Sequence, residues 1–232
     1  MARRYLVDPL PGPGPADLPE DISHHLSRVL RAAAGDSITL FDGRGQTCSA
    51  RLVRCTGHLM HAEAGEHRPC AAEPAPRIHL AVALPKGARA DSLFEQATVL
   101  GIHAIHPVLS TRSENRHSRL PRWRRIAAAA AGQCDRDFLP EITEPRPLSE
   151  FLATDGLPEE RYVAHRPAPA LDRAEGSAAV LLIGPEGGFT EDEDAAACDH
   201  GFAPRSLGRL VLRTETAALA GAVLLGCVHG TG

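Results

Sequence analysis

From Arg77 onward, near-continuous apolar runs alternate with stretches of helical period, and that alternation leaves few architectures open. The runs are Ile78 to Leu84, Ile102 to Leu109, Tyr162 to His165 and Val180 to Ile183. A strand with no polar alternation is buried on both faces, which implies a mostly parallel sheet between layers of helices. Between the runs, Leu93, Phe94, Ala97 and Leu100 share one helical face, and Trp123, Ile126, Ala127, Ala130 and Cys134 mark a longer helix. Thr190-Glu191-Asp192-Glu193 spells a capping box for a helix that Gly201 can close, and Thr214 stands where it can cap a last helix through Val228.

The first 72 residues read differently. Ser37 to Phe41, the turn Asp42-Gly43-Arg44-Gly45 and the alternating stretch Gln46 to Val53 form a hairpin pattern. Ahead of it, Ile22, Leu26, Val29 and Leu30 line one face of a helix. The expectation is a small β-rich domain over 1–72, a stiff boundary at Pro69, Pro74 and Pro76, and an α/β domain over 76–232. With 43% apolar residues in 232, such a chain can build a core without disulfides or metal. Its six cysteines form no C-x-x-C pair and its start carries no basic-then-apolar leader, which reads as a cytoplasmic protein with reduced thiols. The apolar stretch Ala217 to Leu225 falls far short of the ~20 residues of a membrane helix. His58, His61, His67 and Cys70 are ligand types, but they lie around a strand end and Pro69 in a domain able to fold unaided, so no metal is expected.

Charge is unevenly spread. The chain has 25 basic and 29 acidic residues and its only lysine is Lys86, yet residues 77–136 hold ten basic residues against four acidic ones. Lys86, Arg112, Arg122, Arg124 and Arg125, with Arg28 and Arg31 of the first domain, are therefore the candidate RNA-facing cations. The plainer reading of the Arg112 to Arg125 run is a solvated loop and helix face.

Two loops have the make-up of a ligand site. Val180 to Thr190 joins a buried strand to a capped helix through Ile183, Gly184, Pro185, Glu186, Gly187 and Gly188, and glycines at a strand's carboxyl end let a ligand approach the backbone. No Lys-Ser/Thr follows and the G-x-G-x-x-G spacing is missing, which argues against a nucleotide hydrolase. The second loop, Ser206 to Ala218, contains Leu207, Gly208, Leu212, Thr216 and Ala217 and sets Arg213 and Glu215 at a helix start.

Leu84-Pro85-Lys86-Gly87, Leu182 to Phe189, Ser206-Leu207-Gly208 and Leu212 to Ala218 resemble, in order, the bacterial ribosomal RNA small subunit methyltransferase E family of the SPOUT class. His25-Leu26, Val29-Leu30-Arg31, Gly35-Asp36 and Phe41 to Gly45 fit the same pattern. The resemblance implies a PUA-like RNA-binding β-barrel and a SPOUT α/β domain with a C-terminal trefoil knot, an exception to the rule against knots. It also implies a homodimer, S-adenosylmethionine as cofactor, held by the two loops with His165 at their border, and uracil N3 of 16S ribosomal RNA, alone or in the small ribosomal subunit, as acceptor. In that setting Glu215 can take the N3 proton while Arg213 steadies charge on a base oxygen; alternatively the two simply pair and cap the helix. Gln96, Val99, Thr111, Ala129 and Gly132 are neutral where the family is usually charged, which keeps a non-catalytic RNA-binding or ribosome-assembly factor as the alternative.

Overall fold

The structure, a computed structural model, describes residues 3–70, 73, 75–114 and 116–227; Val228, expected to end the last helix, and Ala72 and Pro74 of the expected boundary lie outside them. The chain divides into two compact units, 1–72 with 128–139, and 73–127 with 140–232.

The first unit contains β1 (Arg3–Leu6), β2 (Gly14–Asp17), α1 (Glu20–His24), β3 (Ser37–Phe41), β4 (Gln46–Thr56), β5 (Leu59–Ala64) and β6 (Arg68–Pro69). Hydrogen bonding runs β1-β3-β4-β5-β2, with β6 on β4; β1 lies parallel to β3 and the other pairs are antiparallel. The expected hairpin is β3–β4, and its turn is held by Asp42 Oδ1, which accepts from the Arg44 and Gln46 amides at 2.7 and 3.0 Å. Gly45 is required there: its φ is +94°, and an added Cβ would come 2.4 Å from the Phe138 ring. That contact shows why 128–139 belongs to this unit, an arrangement that a single cut in the chain does not describe.

The helix before the hairpin departs from the expected face. After α1 the chain makes a π-helical turn, His25–Val29, with the Leu30 amide donating to the His25 carbonyl at 3.0 Å. The wider turn slips the 3.6-residue phase, so Ile22 and Leu26 are buried and Leu30 packs against the same core as expected, while Val29 is 62% exposed. His61 Nδ1 meets Asp17 Oδ1 at 2.6 Å and His67 donates to the Pro11 carbonyl at 2.8 Å, so these imidazoles brace the sheet. Among the described residues no group of three or more His, Cys, Asp or Glu could hold a metal ion.

The second unit contains β7 (Arg77–Val82), α2 (Ala88–Val99), β8 (Ala104–Leu109), the start of α3 (Leu120–Gln133), β9 (Glu141–Ile142), β10 (Arg146–Pro147), α4 (Leu148–Leu152), β11 (Glu160–Ala164), β12 (Ala178–Ile183), α5 (Glu191–Asp199), β13 (Ala203–Arg205) and α6 (Thr214–Leu225). All its strand pairs are parallel, in the order β10-β8-β7-β12-β11-β13 with β9 on β8. Ile78, Leu80 and Val82 face one core with Phe94 and Trp123, and Ala81 and Ala83 face the other with Phe151 and Phe202. Such two-sided burial is what the unbroken apolar runs require. α6 lies against β12 at Gly221, where an added Cβ would fall 2.3 Å from Leu181 Cδ2. Among the described residues no helix is long and apolar enough to cross a membrane.

Two imidazoles meet within this sheet, His106 buried and His79 half-buried. His79 Nδ1 lies 3.2 Å from His106 Nε2, and burial, with the neighbouring His103 and Arg77 for His79 and with His79, Arg146 and His103 for His106, pushes both down to about 4. The folded state keeps them neutral where the unfolded chain, near 6.5, takes up protons. Stability is therefore expected to be full above about pH 6.5 and to be lost as pH falls toward about 4, with no further loss from this pair below that. The effect is on the order of 2 kcal/mol for the pair, discounted because His79 is half-buried. Urea midpoints at pH 7 and pH 5 test it: the difference should shrink in a His79→Gln, His106→Gln double variant, and an undiminished difference would assign the acid sensitivity to other groups.

Candidate active site

The loops after β12 and before α6 meet at a cavity of ≈ 330 Å³ at the carboxyl edge of the sheet. Capping fixes the first loop: Thr190 Oγ1 accepts from the Glu193 amide at 3.2 Å while Glu193 Oε2 accepts from the Thr190 amide at 2.9 Å. The other oxygen of Glu193 accepts from the Thr111 amide at 2.7 Å. Burial works to raise this carboxyl, but the Thr190 and Thr111 donors outweigh it and hold it below its ordinary value.

The second loop is tied to the first by a bond that differs from the expected cap. Arg213, not Thr214, occupies the N-cap of α6, without a side-chain cap bond. Thr214 is already helical and its buried hydroxyl donates 3.2 Å to the Gly184 carbonyl, so it links loop to loop. Arg166 donates to the Arg209 carbonyl and holds the second loop from the β11 side.

Apolar walls come from Ile183, Leu207, Leu212 and Ala217, with Leu210 and Val211 on the loop 77% and 85% exposed. Gly184, Pro185, Gly188 and Gly208 supply backbone surface, and His165, Glu186 and Asp194 are polar. His165 Nδ1 stands 3.4 Å from Asp194 Oδ2; burial pushes the Asp194 carboxyl up against the pull of His165. Ten of the twelve residues expected to hold the cofactor thus line one cavity. Gly187 and Thr216 do not. The Cβ direction of Gly187 points to Arg112, 3.3 Å from its Cδ. Thr216 and Glu215 face a different cavity, ≈ 680 Å³, between α2 and α6, because on a helix Thr214 and Ala217 share one side and leave the two residues between them on another.

Arg213 is exposed and lines neither cavity. Glu215 has a side chain 16% exposed, and its buried Oε2 finds no hydrogen-bond partner among the described residues, with Arg89 Nη1 at 4.0 Å. Arg89 donates to Glu186 Oε1 at 2.9 Å and so stands between two carboxylates. Sequence reasoning passed over Arg89, although an arginine one turn after Lys86-Gly87 at a helix start could have flagged it, and Asp194, hidden in an acidic run that reads as helix capping.

The expected RNA-facing cations divide. Arg112 donates to the Gly187 and Phe189 carbonyls at 2.7 and 3.1 Å and serves the loop. Arg122 is bound through two nitrogens to Asp91, and Lys86 pairs with Glu114 at 3.0 Å. Arg124 and Arg125 in the second unit, and Arg28 and Arg31 in the first, are exposed. One neutral position has a structural reason: an added Cβ at Gly132 would come 2.9 Å from the Arg4 carbonyl oxygen.

A parallel α/β unit with a loop-built cavity, preceded by a small β unit, defines a class. Residues 72–226 match the model of the RNA methyltransferase domain, and residues 18–59 that of the RNA methyltransferase PUA domain. Within that class, the chain belongs to the ribosomal RNA small subunit methyltransferase E family. It is 33% identical to the family member of Synechocystis sp. over 84% of this chain and 67% of that one, and 31% identical to that of Mycobacterium bovis over 98% and 91%. The crystal structure of a ribosomal RNA small subunit methyltransferase E from Neisseria gonorrhoeae bound to S-adenosyl methionine superposes with a TM-score of 0.87 at 34% identity, over 96% of each chain.

Proposed function

We propose that this protein methylates uracil N3 in 16S ribosomal RNA, using S-adenosylmethionine bound between the Ile183 to Gly188 and Leu207 to Ala217 loops. The observation that carries the reading is the cavity those loops build, in a chain 34% identical to a relative bound to that cofactor. The residues fit the group: apolar walls suit an adenine, glycines leave backbone atoms open to it, and His165, Glu186 and Asp194 offer polar partners to its ribose and amino-acid part. Bound there, the cofactor supplies an electrophilic methyl group. The chain's own part is to shield the site, orient the base and manage the N3 proton, for which Glu215 is the proposed acceptor and Arg213 the proposed stabiliser of charge on the base oxygen. Arg124, Arg125, Arg28 and Arg31 are the exposed cations offered to RNA. We assign the threaded C-terminal knot to the same reading; the Ala174 amide donating to the Leu225 carbonyl and the Leu171 amide to that of Ser206 tie the segments involved. The α2/α6 groove, with Val223 and Leu224 exposed on it, is the face we give to a second copy.

Mass spectrometry of small-subunit RNA from cells with and without the gene tests the function. Loss of one uracil methylation is expected, and identical RNA with retained cofactor binding would leave an RNA-binding factor instead. Thr214→Val, which deletes the bond between the loops, should weaken S-adenosylmethionine binding about tenfold, roughly 1.4 kcal/mol. Calorimetry showing parent affinity in the folded variant would detach that bond from the site.

A further inference from the structure

A separate cavity of ≈ 280 Å³ is lined by Lys86, Asp91, Glu114, His117, Arg119 and Trp123. Its carboxylates each have a partner: both Asp91 oxygens take hydrogen bonds from Arg122, and Glu114 Oε2 sits 3.0 Å from Lys86 Nζ. Its donors have capacity left. Trp123 is fully buried, stacked on Phe94 with ring centroids 4.7 Å apart, and its indole N–H has no acceptor among the described residues. Arg119 forms no ion pair among the described residues, and Lys86 has N–H groups to spare beyond Glu114. Gly87, also on the wall, is the N-cap of the 12-residue α2 and leaves the first-turn amides without a side-chain cap. A helix start adds partial positive charge to the same space.

Lys86, Arg119, the Trp123 indole and the helix start therefore bring cationic and donor groups together on one wall, which fits an oxyanion better than a base edge, since a base edge presents donors as well as acceptors. β7 and β12 pair with Val82 opposite Ile183, so the segments leading to Lys86-Gly87 and to Gly184 leave neighbouring strands, and Arg89 of α2 reaches across to Glu186. We propose that this cavity holds a phosphodiester group of the RNA flanking the target nucleotide, with Lys86, Arg119 and the Trp123 indole as its donors. This rests on the RNA methyltransferase reading above. It fixes the strand's register beside the cofactor cavity, because a phosphate contact positions without reading sequence.

Trp123 is the chain's only tryptophan, so tryptophan emission arises from the wall of this cavity. With the cofactor-saturated protein, small-subunit RNA is expected to shift that emission saturably, in step with binding. Arg119→Gln should weaken RNA binding severalfold and lower its salt slope by about 0.7 to 1, with cofactor affinity within about twofold as the check on folding. Trp123→Phe, which keeps the ring on Phe94 and deletes the N–H, should also weaken RNA binding. RNA that binds with unmoved emission and an unchanged slope in Arg119→Gln overturns the subsite and leaves the methyltransferase reading intact. Inorganic phosphate that moves the emission and is not displaced by saturating RNA overturns it too, since the cavity would then serve a free anion. Failure of the parent protein to bind small-subunit RNA at all would count against the methyltransferase reading itself.

Discussion

Arg213→Ala is expected to lower single-turnover methylation of small-subunit RNA by about 10²-fold, the scale for losing one positioned electrostatic donor, while cofactor affinity stays within about threefold. Three observations set that expectation. Arg213 occupies the N-cap of α6 with extended backbone (φ −67°, ψ 154°), it lines no part of the cofactor cavity, and its side chain is exposed. Removing N3–H from uracil leaves negative charge on the base, and a helix start already favours negative charge before any side chain is added. On the proposed reading Arg213 brings a full charge to that place from outside the cofactor cavity. Glu215→Gln separates proton removal from charge stabilisation: it should slow the reaction while cofactor affinity holds. Rates of both variants within about a factor of two of the parent, at saturating cofactor and RNA, would reduce the pair to the cap of α6 and move the search to His165 and Gln133.

How much of this was legible in the sequence depended on how many constraints each residue carried. β7, β8 and β12 stand out as apolar runs because both faces are buried, and a run of that kind has little freedom to be anything else. β9, β10 and β13, two or three residues each, are too short to show a period, and β1 opens with two arginines at an edge of its sheet. Val29 shows a different limit: the 3.6-residue pattern was real, but one π-helical turn rotated its end out of phase. The site followed the same division. Glycine-rich loops after buried strands located the cavity, because only the backbone is needed there. The individual side-chain roles depended on which side of a turn each residue took, and a one-residue shift in the start of α6 gave Thr214 the loop and Arg213 the cap. Gly132 taught the reverse lesson, since a residue that looked like a missing charge is one where the Arg4 carbonyl leaves no room for any side chain.

Two of the three glycines of the first loop, Gly184 and Gly187, should respond very differently to the same substitution. Gly184 lines the cavity, its carbonyl accepts from Thr214, and an added Cβ would come 3.2 Å from the Phe189 ring. A valine there has no cheap escape: it presses on Phe189 or enters the space meant for the cofactor. Gly184→Val is expected to weaken S-adenosylmethionine binding by about 10- to 100-fold, roughly 1.4 to 2.8 kcal/mol, within the range for overpacking a close-fitted site. At Gly187 the added atoms meet Arg112, a long side chain able to yield, on the side away from the cavity. Gly187→Val should therefore change cofactor affinity by about threefold or less, and only through the grip of Arg112 on the Gly187 and Phe189 carbonyls. Calorimetry on both folded variants decides between two pictures of the loop. Parent affinity in Gly184→Val would put the cofactor elsewhere, whereas equal and large losses at both positions would mean that Arg112 and the loop act as one unit, in which the hold from behind matters as much as the surface in front.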